Sequence, residues 1–350
     1  MQTENEKTKI NLLPVRETIE LLSKDFDTVC DDSSQRFKEF NNLPPYYDEE
    51  KFKKGQQFYH KHIYGMFIGK LLGLLTVIST PTILKVLVFT NMSSDPLTAY
   101  KRYLATIFHM CVWYDNDFKP GSKLWQSINT VKFLHNSTSK RICLAKGCRI
   151  LQKDMGITQF GFMGLAILRP EKLGIYHASK DELESFIHLW RVVGYIMGME
   201  DRYNICRESL EETREICEGL IKNVFLENMK TPTKDYLKLS DALVTGMQVM
   251  NPFLETTVFT AYLHKILNIN NNNNISSFPP LHLNVYQKML LFFIEIYIIC
   301  MQFSAWRIFS NYIQYMSFWL MKNFPFLALH RYGYENSYVS IYVERKQKRG

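Results

Sequence analysis

Apolar residues return every three or four positions along most of this 350-residue chain, the spacing of one helix face. The stretch from Tyr100 to His135 carries the pattern most clearly. Asp95-Pro96 marks a helix start, and residues 99–114 contain neither Gly nor Pro. On that helix Arg102, Thr106, His109 and Trp113 form one stripe, and Tyr103, Ile107, Met110 and Tyr114 form another. Tyr100, Leu104 and Cys111 fall between them. A surface helix shows a broad polar face. This one has a narrow polar line on an apolar body, and such a line, once buried, demands partners. The next helix lies within residues 122–142. It places Leu124, Ile128, Val131 and His135 on one face at steps of four, three and four, which aims His135 at the core.

The remaining chain reads as further helices. Residues 1–50 form a polar arm with one helix near Val15 to Phe26. Residues 51–65 carry His60 and His62 on a charged segment, where a solvated helix face is expected. From Tyr64 to Thr90 the chain turns apolar. The run between Lys70 and Lys85 is too short to cross a bilayer and is interrupted by Pro81, which predicts a buried helix pair or the wall of an apolar channel. Ile157 to Leu168 forms a helix ended by Arg169-Pro170. Its Gly161 and Gly164 permit close approach of another helix or a flat ligand. Ser179 and Glu182 make a capping box for a helix from Asp181 to Asp201. Glu184, His188, Arg191 and Tyr195 draw a second polar line there. A guanidinium at Arg191 needs a partner: an acid of the GMED turn (Glu200, Asp201) or a cofactor carboxylate. Residues 206–229 are amphipathic, and 234–267 give two helices broken at Asn251-Pro252. An Asn/Pro-rich loop spans 269–284. It separates a domain over 51–268 from apolar, aromatic helices and a basic tail over 285–350.

Charge and cysteine content narrow the function. The net charge is +8 but dispersed, so nucleic acid is not an expected partner. Seven scattered cysteines contain no C-x-x-C pair, so neither a zinc site nor a disulfide framework is indicated. No signal-peptide core is evident near the N-terminus. The expected place is therefore the cytoplasm or the cytoplasmic face of an intracellular membrane, the endoplasmic reticulum included. The basic patch Lys140, Arg141, Lys146 and Arg149 suits a solvated face, haem propionates or anionic lipid. Between Val285 and Leu329 the uncharged stretches are too short to span a membrane, so burial and attachment to a membrane surface both remain open. His135 likewise has two readings: a hydrogen-bonded core histidine, or the single imidazole that often holds haem iron.

The motifs Arg102-x-x-x-Thr106, Val131-Lys132-Phe133-Leu134-His135 and Phe186 to Asn204 together resemble the rubber oxygenase family. That family includes the latex-clearing proteins and the membrane-bound oxygenase of mycophenolic acid biosynthesis. The resemblance covers roughly Lys51 to Ile266. It implies an all-α, globin-like core with haem b, with His135 as proximal ligand and metal-binding residue. It also implies that Arg102 and Thr106 line the pocket, that dioxygen is co-substrate, and that an apolar unsaturated isoprenoid or lipid is cleaved at C=C. Gln159, Phe160 and Phe162 resemble a pocket-lining segment of the family. His109 is the candidate general base, and Arg191 a candidate propionate partner. Lys132 stands where the latex-clearing branch has Arg, and Ala105 where it has an iron-capping Lys. These departures sustain a rival reading: a non-catalytic helical protein that binds lipid or a partner.

Overall fold

The computed structural model describes residues 12–24, 28–30, 43–269, 278 and 281–341. The expected all-α class holds. Among these residues the only β pairing is an isolated antiparallel bridge, Val29 to Leu151. Helix α1 (Val15–Ser23) is followed by α2 (Glu49–Lys61), α3 (Ile63–Val77), α4 (Pro81–Thr90), α5 (Pro96–Asp115) and α6 (Lys123–Lys146). Next comes α7 (Gln152–Gln159), which runs through a π turn (Phe160–Gly164) into a last turn, Leu165–Leu168. Then come α8 (Lys180–Ile196) and α9 (Leu210–Leu220), the latter extended by a π turn, Ile221–Phe225. Further helices are α10 (Lys234–Met247), α11 (Thr256–Ile266), α12 (Val285–Cys300) and α13 (Ser304–Asn323), with short ones at Leu226–Lys230, Phe326–Tyr332 and Tyr334–Ser337.

The helix starts follow local chemistry. Asp95 accepts from the N–H groups of Leu97 and Thr98, each at 3.0 Å, with Pro96 at the first position. Ser122 accepts from Trp125 N–H at 3.2 Å to open α6, and Gly147 ends it at φ +66°. Ser179 and Glu182 cap α8 reciprocally as expected. Pro81 separates α3 from α4, which meet at 99°.

Helix α3 is the centre of the packing, and nearly all of its residues are buried. The expectation of a buried helix pair therefore holds for α3 alone: in α4 only Leu84 and Leu87 are buried. Gly65, Gly69 and Gly73 form a small-residue edge along it. Cβ atoms at Gly65 and Gly73 would come closer than 3.0 Å to the backbone of Leu173 and of Gly161, respectively. The close approach expected at Gly161 is thus to another helix, not to a flat ligand. Gly55 of α2 meets the Ser185 carbonyl of α8 in the same way, with the Phe58 and Phe186 rings 5.0 Å apart beside it.

One expectation fails here. His60 is half-exposed and faces Asp115 at 3.3 Å, but His62 is not on a solvated face. The helix stops at Lys61, and His62 forms the corner into α3 at φ −128°. Its ring turns inward onto Phe58, 5.1 Å away, and burial pushes its pKa down to about 4.

Candidate functional site

The site is built where α5 crosses α6 and α3. The predicted polar line of α5 exists, and each member is answered differently. Arg102 donates from Nη1 to the Thr90 hydroxyl at the end of α4, at 3.1 Å. Thr106 donates back to the Arg102 carbonyl at 3.1 Å, the usual habit of Thr inside a helix. His109 Nδ1 lies 2.7 Å from the Ser127 hydroxyl of α6, which also accepts from Trp113 Nε1 at 2.8 Å. His109 is thereby tied to α6 rather than open at Nδ1, and burial lowers its pKa.

On α6, Leu124 and Ile128 are fully buried and His135 lies on the same side, as its register predicts. The neighbouring Phe133 and Leu134 point to solvent. His135 Nδ1 is buried and, among the described residues, has no hydrogen-bond partner. Burial and then the positive charge of Arg102 push its pKa down to about 4, so the ring is neutral at physiological pH. The reading of His135 as a hydrogen-bonded core histidine does not match this Nδ1. Lys132, one turn earlier, is buried and donates to the Ile196 carbonyl at the end of α8, at 3.3 Å.

Between α3 and α5 lies a narrow cavity of about 30 Å³, room for one or two waters. Its lining includes Phe67, Lys70, Tyr103, Thr106, Phe162 and Phe318. Lys70 is its one charged group. The side chain is buried, with Nζ 4.3 Å from the Tyr59 ring centre and 4.7 Å from that of Tyr114. Burial pushes its pKa down to about 7. The Tyr103 hydroxyl is buried without a partner among the described residues. Sequence reasoning missed Lys70. The available signal was one lysine inside the otherwise uncharged run Ile63–Val77, too far from either end of the helix to reach water.

The pocket-lining expectation for the Phe160 segment holds for Phe162 alone. Phe162 faces the cavity and stacks on Trp190 at 4.9 Å. Phe160 turns the other way, onto Phe225 at 4.7 Å. Gln159 is structural. It donates to the Trp190 carbonyl at 3.0 Å and accepts from Ile205 N–H at 3.2 Å.

Arg191 has partners of its own, and they correct the expectation of an acid in the GMED turn. Its Nη1 meets Glu208 at 3.0 Å, and its guanidinium lies 4.0 Å over the Tyr46 ring. The GMED acids are engaged elsewhere: Glu200 accepts from Arg202 Nε at 2.8 Å, and Asp201 from the Tyr46 hydroxyl at 3.4 Å. The rest of that polar line is also a latch. His188 Nε2 accepts from Asp48 N–H at 3.1 Å, and Glu184 accepts from Leu210 N–H at 3.3 Å. Of the basic patch, Lys140, Arg141 and Lys146 are exposed.

Among the described residues no three His, Cys, Asp or Glu side chains converge as a metal site. The donor on offer is a single imidazole, which suits an iron already held by a macrocycle and not a tetrahedral ion held by protein alone.

The fold has a known counterpart. A structure of latex clearing protein LCP in the closed state superposes with a TM-score of 0.58 at 14% identity, covering 87% of this chain and 85% of that one. The likeness is one of fold, and it extends beyond the 51–266 region that carries the motifs. No family model matches the chain. No curated protein matches it either.

Proposed function

We propose that this protein is a haem b-dependent oxygenase acting on an apolar, unsaturated, lipid-like substrate. The observation that carries the reading is His135, a neutral imidazole whose buried Nδ1 has no partner among the described residues, on a helix of a fold shared with latex clearing protein. The donor chemistry fits the group: His135 would hold the iron and Arg102, whose charge already reaches His135, would offer it to a propionate, while Thr106 lines the neighbouring cavity. Arg191 stays a candidate propionate partner: Glu208 engages its Nη1 and Tyr46 stacks beneath it, while its Nε and Nη2 are buried without a partner among the described residues. Bound haem supplies activation of dioxygen, and the resemblance to rubber oxygenases implies cleavage of C=C to carbonyl products. The chain itself contributes an apolar lining that excludes water, with Phe67, Phe162 and Phe318 around the cavity. It also contributes an amine, Lys70, that exchanges a proton near neutral pH. Ala105 leaves no side-chain amine at the position where the latex-clearing branch caps its iron.

The rival is a non-catalytic helical protein that binds lipid or a partner, with a degenerate haem site, which Ala105 and Lys132 sustain as departures from the latex-clearing pattern. Visible absorption of protein expressed with a haem precursor separates the two. The expected result is an intense Soret band that His135→Ala abolishes while the far-ultraviolet dichroism is unchanged. A colourless wild type overturns the oxygenase reading. A band that survives the substitution removes His135 as the ligand.

A further inference from the structure

The helices between Val285 and Phe326 leave an apolar face exposed among the described residues. Of twenty-eight exposed large apolar side chains among the described residues, eighteen fall between Val285 and Phe326. They include Phe292, Phe293, Ile308, Phe309, Tyr312 and Trp319. Such a concentration of exposed large apolar side chains on neighbouring helices marks an interaction site.

The helices bearing this face are fixed to the body. The Asn311 side chain joins α13 to the corner between α2 and α3: its Nδ2 donates to the Lys61 carbonyl at 2.8 Å, and its Oδ1 accepts from Tyr64 N–H at 3.2 Å. Gln287 of α12 donates to Glu255 at 3.1 Å. The exposed face is therefore presented by an anchored pair, not by a loose hairpin.

We infer that this face docks on the surface of an anionic lipid bilayer. Three observations select lipid over a second copy of the chain. First, neither helix can span. The two have the length and apolarity of a span only when taken together, and they bend by 115°, which suits a surface-lying or re-entrant attachment rather than a straight span. Second, the charge matches. Residues 281–350 hold eight Lys or Arg against three acids. Glu295 is neutralised by Lys265, whereas Lys288, Lys322 and Arg331 are exposed. Each basic residue near an anionic surface adds attraction, and Trp and Tyr favour the headgroup level. Third, α13 is continuous with the cavity. Phe318 closes the cavity from one side of the helix, while Tyr315, Met316 and Trp319 are exposed. A lipophilic molecule leaving the bilayer has one helix to pass. This last point rests on the cavity being the substrate site, whereas the docking itself does not.

Flotation of the full-length protein with vesicles of phosphatidylcholine, with and without phosphatidylserine, tests the inference without reference to haem. The expected result is flotation with the anionic vesicles, weakened by salt. Phe293→Ser with Ile308→Ser and Trp319→Ser should reduce the bound fraction about tenfold or more with unchanged dichroism. Trp319→Phe keeps the face apolar and should float like wild type, confirming that the loss follows polarity. Wild type that stays unbound overturns the inference. So does a triple variant that floats as well as wild type. So does a dimer, dissolved by the same substitutions, that binds no vesicles.

Discussion

Gly73→Ala is expected to destabilise the fold by about 3 kcal/mol or more, lowering the denaturant midpoint without changing the slope. A Cβ at this position would come closer than 3.0 Å to three backbone atoms of Gly161. Backbone cannot rotate aside as a side chain can. Helix α3 is also buried along nearly its whole length, so it has little room to move away. The comparison is Gly121→Ala. That glycine has φ +81° but open space around it, so only the conformational cost of about 1–2 kcal/mol applies. Equal losses at the two positions would show that the contact between α3 and the π turn is looser than described.

Lys70→Met is expected to stabilise the protein at and below neutral pH by on the order of 3 kcal/mol, with the gain vanishing towards pH 10. Burial is the cause of the depressed pKa, about 7 in the folded chain. Below pH 7 the amine is protonated in the folded and unfolded chains alike, so folding carries the full cost of burying the charge. Between pH 7 and the ordinary lysine value the unfolded chain keeps a proton that the folded chain has lost. Wild-type stability therefore rises with pH over that window. Methionine has no proton to lose and fills a similar volume, so its curve lacks this rise. The cation–π contacts to Tyr59 and Tyr114 offset part of the gain, which keeps the figure below the full shift. Curves that run parallel from pH 6 to pH 10 would refute a buried, charge-exchanging Lys70.

Most of the fold follows from local rules. Asp95-Pro96, Ser122 and Ser179 open their helices as side-chain caps must, and Pro81 and Asn251-Pro252 break theirs, because capping and loss of a backbone donor are settled within a few residues. The facing of His135 was legible for the same reason: helical spacing puts it with Leu124 and Ile128. The π turns at Phe160–Gly164 and Ile221–Phe225 were not legible. The first lies at a crowded crossing with Gly73 of α3, far away in sequence.

The sequence by itself therefore determined the all-α class, the helix ends, the polar line of α5 and the inward side of α6. Tertiary structure alone decided the partners. It gave Arg191 to Glu208 rather than the GMED acids, tied His109 to Ser127, turned His62 inward and separated Phe162 from Phe160. It also set Lys70 against a stacked pair of tyrosines and left Nδ1 of His135 unengaged among the described residues. The reason is physical. Helical period and capping are short-range and act along the chain, whereas pairing, desolvation and the resulting pKa shifts depend on what other segments bring into contact.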